Sequence, residues 1–150
     1  LYILHRKYKI TLRILIVCTA NSCRSQISEA FLKELDPDLE VFSAGITEAD
    51  EIHPKTIQVM KEVGMDISNK KPVSINQYLT QSWDFVVTVC DDARETCPSF
   101  HGVVGKKIHY RFIDPVTSEY PEYNRIDLFR AVRDEIRLKV REFYNDYIKE

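Results

Sequence analysis

Short apolar segments alternate with amphipathic stretches along the chain, and this alternation predicts an α/β fold. Four short segments are predicted to be strands, at residues 11–17, 39–43, 84–89 and 107–111. Apolar residues recur at helical spacing in three longer stretches, at residues 25–35, 54–63 and 124–147. Strands that alternate with helices favour a parallel sheet covered on both faces. We therefore expect a three-layer αβα arrangement with a four-stranded parallel sheet.

We expect residues 11–150 to form a single domain, and we assign no function to an N-terminal extension of residues 1–10. A chain of 150 residues can bury roughly 70% of its unfolded surface. Basic residues precede the first apolar segment, as they do in a signal peptide. Arg13 interrupts that segment, however, and no small-residue cleavage site follows it. A first β-strand is therefore the preferred interpretation.

Composition and charge narrow the functional classes. The formal net charge is −2, with 44% hydrophobic and 29% charged residues, so bulk electrostatics favour neither nucleic acid nor membrane as a partner. The four cysteines could form two disulfides in a secreted protein. We favour catalytic or redox thiols in a reducing cytoplasm, because a chain of this size needs no disulfides to stabilise its core.

The segment 18–26, Cys-Thr-Ala-Asn-Ser-Cys-Arg-Ser-Gln, places the pattern C-x5-R-S between the first strand and the first helix. The backbone N–H groups of such a loop, with the helix N-terminus, can surround a tetrahedral oxyanion. Arg24 adds a planar fork of donors. The same positive field favours the thiolate form of Cys18. We expect an oxyanion site that activates its own nucleophile; a buried structural cysteine is the alternative.

A second cysteine falls at an equivalent position in the predicted sheet. Cys18 follows the first strand and Cys90 follows the strand at 84–89. Ligands of parallel α/β sheets bind beyond the carboxyl ends of the strands. We therefore expect Cys18 and Cys90 to be neighbours.

The run 17–26 resembles the thioredoxin-coupled arsenate reductases, which share a fold with the low-molecular-weight protein tyrosine phosphatases. The resemblance continues over residues 11–147, through 42–45, 66–68, 86–90, 97–98, 114–115 and 132–139. The C-x5-R-S loop alone indicates only the phosphatase-like superfamily. The additional Cys90 and Cys97 favour the arsenate reductase branch, and with it a role in arsenical resistance.

The resemblance implies a role for each residue of the oxyanion site. Cys18 would attack the arsenic of arsenate, and Ser25 would hydrogen-bond the thiolate. Asp114 would donate the proton when water is lost, although an Asp-Pro pair also suits a simple turn. The oxyanion would be held by the loop residues Thr19, Ala20, Asn21, Ser22, Cys23 and Arg24. For Cys23 itself, packing is a more plausible role than catalysis.

The resemblance also implies a redox-active disulfide. Cys90 would attack Cys18 and release arsenite, Cys97 would then attack Cys90, and thioredoxin would reduce the Cys90–Cys97 disulfide. Seven residues of helix span ~10 Å, whereas the Cα atoms of a disulfide lie within ~7 Å. The segment 90–97 therefore cannot remain helical when it is oxidised. Two unrelated surface thiols are the alternative.

A metal site receives less support. Asn21, Glu29 and Ser43 match positions that hold potassium in some members of the family, but the remaining ligand there is an Asp, and Val73 stands at that position here. We therefore expect Asn21 to stabilise the loop, and we expect no tight potassium binding and no other cofactor. The four histidines lack metal-ligand spacing.

Two other functions remain open. The first is a low-molecular-weight tyrosine phosphatase that uses Cys18, Arg24 and Asp114. Against it, the residues after Pro115 are Val-Thr-Ser rather than the aromatic pair of related phosphatases, although Tyr120 and Tyr123 could partly substitute. The second is a non-enzymatic oxyanion or redox sensor.

Overall fold

The computed structural model of the protein describes residues 10–118 and 125–149. Its strands are β1 (Arg13–Cys18), β2 (Glu40–Gly45), β3 (Trp83–Thr88) and β4 (Val104–His109). Its helices are α1 (Arg24–Leu35), α2 (Pro54–Glu62), α3 (Asp91–Thr96) and α4 (Arg125–Phe143). A 3-10 turn at Ile75–Gln77 and a π-helical turn at Tyr144–Ile148 complete the described elements.

The four strands form one parallel sheet in the order β2-β1-β3-β4, as the alternation of strands and helices predicts. Strand β1 lies between β2 and β3, and its residues from Ile14 to Cys18 are all buried. A central parallel strand is covered on both faces, which explains its unbroken apolar sequence. In this register Cys18 lies opposite Gly45 on β2, and Val17 lies opposite Thr88 on β3.

Helices cover both faces of the sheet, so the predicted three-layer architecture is confirmed. On one face, Ile16 and Val87 pack towards α1 and α4, with Phe85 in an edge-to-face contact with Phe143 at 5.4 Å. On the other face, Val86 and Thr88 line a cleft with residues at α3. The carboxyl ends of β1 and β3 therefore open between α1 and α3.

Strand β4 begins at Val104, three residues before the predicted start at residue 107. Its sequence, Val-Gly-Lys-Lys-Ile-His, carries a glycine and two lysines that strand propensity disfavours. The glycine is needed because a Cβ at Gly105 would lie 2.6 Å from the carbonyl oxygen of Asp84 on β3. Here a close backbone contact decides the boundary of the strand.

The short segment between Cys90 and Cys97 forms helix α3 over residues 91–96. Helix α4 ends at Phe143 rather than at 147, because the chain changes to i→i+5 hydrogen bonding, with the N–H of Lys149 bonded to the carbonyl of Tyr144 at 2.8 Å.

Some of the predictions lie outside the described residues: the start of α4 at 124, residues 1–9, Tyr120 and Tyr123. Among the described helices, none is long and apolar enough to cross a bilayer.

Candidate active site

The loop between β1 and α1 turns its carbonyl groups away from the interior of the loop. Four of these carbonyls accept backbone hydrogen bonds of 2.9–3.1 Å from the chain after β2: Cys18 from Ile46, Thr19 from Thr47, Ala20 from Ala49 and Ser22 from His53. The carbonyl of one residue and the N–H of the next point in opposite directions across a planar peptide. The N–H groups of the loop are therefore directed inward, which is the arrangement that an oxyanion requires.

Asn21 fixes the bend of this loop. Its φ of 55° lies in the left-handed region, which Asn adopts more readily than most residues. The side-chain amide donates to Ser25 Oγ at 2.7 Å and to Ser43 Oγ at 2.9 Å, and its oxygen accepts from the N–H of Val73 at 2.9 Å. Asn21 is fully buried and ties the loop to α1, to β2 and to the segment before Ile75–Gln77. It has the loop-stabilising position expected from the sequence.

Gly45 is part of the same support. A Cβ at this position would lie 2.9 Å from the carbonyl oxygen of Thr19 and 3.1 Å from the nitrogen of Asn21. Such distances are shorter than normal contacts, so any side chain here would push the loop out of place. Glycine at the end of β2 therefore permits the loop to pack against the sheet.

The Cys18 sulfur lies at the base of the loop, buried at the end of β1. Ser25 Oγ is 2.8 Å away, and the N–H of Asn21 donates to the sulfur at 3.2 Å. Burial nevertheless raises the pKa of the Cys18 thiol, against the opposing effects of Ser25, Arg24 and Asn21. The contacts expected to favour the thiolate are present and lower the pKa of Cys18, but desolvation outweighs them, so the net direction is upward.

Arg24 and Asp114 meet above the loop. Arg24 begins α1, and its guanidinium donates to the carbonyl of Phe112 at 3.2 Å and lies 3.5 Å from the carboxylate of Asp114. Asp114 also accepts from the N–H of Val116 at 2.9 Å and from the Thr117 hydroxyl at 2.9 Å. The Asp-Pro loop is thus both a turn and the wall opposite Cys18.

These residues surround an open cavity of about 510 Å3, a size typical of small-molecule sites. Cys18, Arg24 and Asp114 line it, and so does Cys90, whose sulfur lies 3.3 Å from Thr19 Oγ1. The N–H of Val89 bonds to the carbonyl of Val17 at 3.0 Å and keeps the two strand ends side by side. The expectation that Cys18 and Cys90 are neighbours is confirmed.

Cys97 lies in a different place. It follows α3 and is half-buried in a second cavity of about 280 Å3, where it lies beside Arg94, Lys107 and His109. Burial raises the pKa of its thiol, and Lys107 opposes that effect. All four cysteines are free thiols, and α3 separates Cys97 from Cys90.

Cys23 is buried in the loop but is chemically unlike Cys18. Burial raises the pKa of its thiol to about 12, with a weaker opposing contribution from Thr56. A thiol that holds its proton so strongly is a poor nucleophile. This geometry agrees with a packing role for Cys23.

Of the three residues considered for potassium, Glu29 is paired with lysines, while Asn21 and Ser43 are hydrogen-bonded to each other. Glu29 is buried, and its carboxylate lies 2.8 Å from the ammonium group of Lys70 and 3.8 Å from that of Lys33. The contact between Glu29 and Lys70 joins residues far apart in the chain, so the local sequence gives no sign of it. Among residues 10–118 and 125–149, no group of three His, Cys, Asp or Glu side chains is placed to hold a metal ion.

His53 also supports the site in a way that the sequence did not reveal. The backbone N–H of His53 donates to the carbonyl of Ser22. Its ring Nδ1 accepts from the backbone N–H of Lys55 at 3.1 Å and so caps α2. Its ring stacks at 4.9 Å on that of Phe129. Burial and the charge of Lys55 lower the pKa of His53. The signal available was a helix start at Pro54, but histidine is not a common capping residue.

The chain is similar to a known protein family and to named members of it. The family model described as "Low molecular weight phosphotyrosine protein phosphatase" matches residues 13–150. A protein named "Arsenate reductase 1" from Staphylococcus haemolyticus (strain JCSC1435) is 44% identical over 131 residues, which cover 87% of this chain and 92% of the relative.

Two solved structures are also similar to the chain. One is titled "An arsenate reductase in the phosphate binding state"; it has a TM-score of 0.75, 27% identity and coverage of 90% of this chain and 98% of its own. The second is the tyrosine phosphatase AmsI of Erwinia amylovora, with a TM-score of 0.71, 19% identity and coverage of 91% and 93%. At that identity the second likeness shows the fold alone.

Proposed function

The chain belongs to the low molecular weight phosphotyrosine protein phosphatase family, and we propose that within this family it reduces arsenate to arsenite. Its similarity to proteins named arsenate reductase supports the substrate. The presence of Cys90 in the same cavity as Cys18 supports the reaction, because a second thiol is required to reduce the arsenic and is not required to hydrolyse a phosphate ester. This pair of thiols is the observation that carries the proposal.

In the first step, the inward N–H groups of the loop and the guanidinium of Arg24 bind the oxyanion. The Cys18 thiolate attacks arsenic, forming an S–As bond, and one arsenate oxygen leaves as water. Asp114, which lies 3.5 Å from Arg24 on the wall of the same cavity, gives that oxygen its proton in this proposal. Because burial disfavours the Cys18 thiolate, the contacts from Ser25 and Asn21 are needed to hold it.

In the second step, the Cys90 thiolate attacks the sulfur of Cys18. An S–S bond forms and the S–As bond breaks, with its electron pair going to arsenic, which leaves as arsenite. Cys90 approaches from the carboxyl end of β3, next to Thr19, and therefore needs only a local movement to reach Cys18.

In the third step, the Cys97 thiolate attacks Cys90, forms a Cys90–Cys97 disulfide and frees Cys18 as a thiolate. Cys90 caps helix α3 and Cys97 follows it, so the helix must unwind before these sulfurs can bond. A dithiol protein such as thioredoxin then reduces the disulfide. A relay that must return to free thiols suits a reducing compartment, and we therefore propose a cytoplasmic location.

The proposal is tested by arsenate-dependent NADPH consumption with thioredoxin and thioredoxin reductase. Wild-type protein should turn over many times. Cys97→Ser should release about one arsenite per chain and then stop, since Cys18 and Cys90 remain joined. Ser99→Ala, an exposed change two residues away, serves as the control and should behave as wild type. Sustained turnover by Cys97→Ser would exclude the relay, and glutaredoxin in place of thioredoxin tests the identity of the reductant.

A phosphatase is the second candidate, and the size of the cavity favours it. About 510 Å3 leaves room for an aryl group beside the oxyanion, and Cys18, Arg24 and Asp114 are the groups that phosphate ester hydrolysis would use. Hydrolysis of p-nitrophenyl phosphate by Cys90→Ser, together with loss of its arsenate reduction, would show that both activities share the loop. Fast hydrolysis without any arsenate reduction by wild type would favour the phosphatase instead.

A further inference from the structure

A cluster of polar side chains joins the start of α3 to the end of β4. Asp91, the first residue of α3, accepts from His109 Nε2 at 3.0 Å and is paired with the Arg111 guanidinium at 3.1 Å. On its other side, His109 Nδ1 lies 2.8 Å from the hydroxyl of Thr88, at the end of β3. We call Asp91, His109 and Arg111 the Asp91 anchor.

Little else holds α3 in place. Of its six residues only Ala93 is buried, and Asp92, Arg94, Glu95 and Thr96 are exposed. Within the described part of the chain, every side-chain hydrogen bond or ion pair from α3 to another element comes from Asp91. A helix with one buried residue, and with polar side-chain contacts to other elements from Asp91 alone among its described residues, opens at low cost. The attachment must therefore influence how often this helix opens.

The Asp91 anchor lies next to Cys90, the thiol that bonds first to Cys18 and then to Cys97 in the proposed relay. Asp91 directly follows Cys90, so holding Asp91 keeps Cys90 facing the cavity that Cys18 lines. The same contacts favour the helical form of residues 91–96, in which Cys90 and Cys97 cannot bond. The anchored and open forms of one segment therefore suit consecutive steps of the relay.

We propose that His109 and Arg111 are positioning residues that set the equilibrium between these two forms. The anchored form presents Cys90 to Cys18, and release of Asp91 permits the Cys90–Cys97 disulfide. The inference rests on the proposed relay for its purpose, but the equilibrium itself involves only this chain. Weakening the anchor should make the Cys90–Cys97 disulfide easier to form, because it removes an interaction that only the helical form makes.

The test is the equilibrium between the Cys90–Cys97 dithiol and oxidised dithiothreitol, in a Cys18→Ser/Cys23→Ala background that removes competing thiols. One Cys thiolate attacks the dithiothreitol disulfide, the second Cys closes the protein disulfide, and reduced dithiothreitol leaves. His109→Leu should raise the equilibrium constant about fivefold, the effect of losing one hydrogen bond to a charged group at a partly exposed site. That change lowers the reduction potential by about 20 mV.

Matched variants separate anchoring from a general structural effect. His109→Gln keeps an N–H donor for Asp91 and should stay within about twofold of wild type. Arg111→Gln should raise the constant by about twofold only, because the Arg111 side chain is 80% exposed. With all four cysteines present and reduced, amide hydrogen exchange at 94–97 should accelerate about fivefold in His109→Leu.

An unchanged equilibrium constant and unchanged exchange in His109→Leu would overturn the proposal. So would a lower melting temperature in His109→Leu with no change in either measurement, since that is the result of a merely structural role. Neither measurement uses arsenate or thioredoxin, so their outcome is independent of whether the proposed arsenate turnover is found.

Discussion

The oxyanion loop, residues 18–24, and the redox segment, residues 90–97, lie on the same cavity but are held in opposite ways. Most of the loop is buried, four of its carbonyls are bonded to the chain after β2, and Asn21 ties it to three other elements. The redox segment has one buried helical residue and one polar anchor. Both regions follow a strand of the same sheet and begin with a cysteine.

The difference corresponds to what each thiol has to do. A bound oxyanion is stabilised only by donors that are already in position, so the loop must not move. In the proposed relay the Cys90 sulfur changes its partner from Cys18 to Cys97, so its segment must open at low cost. The fold therefore places a fixed site and a mobile segment at adjacent strand ends.

The largest effect is expected from Arg24→Lys in the loop. A lysine keeps the charge but loses the planar fork of donors, so kcat/KM for arsenate should fall about 100-fold. The same substitution at Arg94, exposed on α3, should change it by less than about twofold. Steady-state kinetics with the thioredoxin system measures both. Wild-type kcat/KM in Arg24→Lys would mean that Arg24 contributes only charge, and equal losses in the two variants would mean that the effect is not specific to the loop.

Gly45→Ala should displace the oxyanion loop from its position against the end of β2. A Cβ at 2.9 Å from the Thr19 carbonyl oxygen forces the loop to shift, so we expect a loss of about 1–3 kcal/mol in the free energy of unfolding. Phosphate should also bind more weakly. Urea unfolding and phosphate titration measure the two effects, with Glu95→Ala on α3 as the control. Wild-type stability and phosphate affinity in Gly45→Ala would show that the loop tolerates displacement.

The buried thiol of Cys23 should make the protein less stable in alkali. When unfolded, this thiol ionises near pH 9.0, but in the fold it keeps its proton until about pH 12. The unfolded state therefore binds fewer protons across this range, and the free energy of unfolding falls as pH rises. In Cys23→Ala, the free energy of unfolding should fall with pH less steeply than in wild type, by about 1.4 kcal/mol per pH unit. Denaturant titrations between pH 8 and 11 measure it; parallel curves for the two proteins would contradict the assignment.

The smallest effect is expected from Glu95→Gly on α3. Glycine disfavours the helix, so the Cys90–Cys97 disulfide should form about threefold more readily. Global stability should hardly change, because the segment contributes little to the core. In the matched variant Glu135→Gly, on α4, we expect the reverse: lower stability and an unchanged disulfide equilibrium. Similar behaviour of both variants would show that α3 is no less anchored than the rest of the fold.

Local sequence pattern was sufficient for the architecture and for the placement of Cys18, Arg24 and Cys90 around one cavity. The C-x5-R-S loop follows a strongly apolar strand and precedes an amphipathic helix, and this order places Cys18 and Arg24 without any long-range information. Cys90 follows another apolar strand, so its position beside the loop was also predictable. In each case the informative residues lie within about ten positions of one another.

The features that were missed depend on contacts between distant parts of the chain. Gly45 is required by the backbone of Thr19, His53 holds the Ser22 carbonyl, and Lys70 neutralises the buried Glu29. The pKa of Cys18 depends on the depth of its burial, which the sequence does not measure. The start of β4 was likewise set by a close backbone contact at Gly105.

The central claim is that a fixed nucleophile passes its disulfide to a mobile segment, and it is tested most directly by identifying the disulfide that forms. Reduced protein is mixed with one equivalent of arsenate without a reductant, free thiols are alkylated in acid, and the linked peptides are identified by mass spectrometry. Wild type should contain Cys90–Cys97, and Cys97→Ser should contain Cys18–Cys90. Four free thiols in wild type, or a Cys18–Cys23 disulfide, would contradict the account.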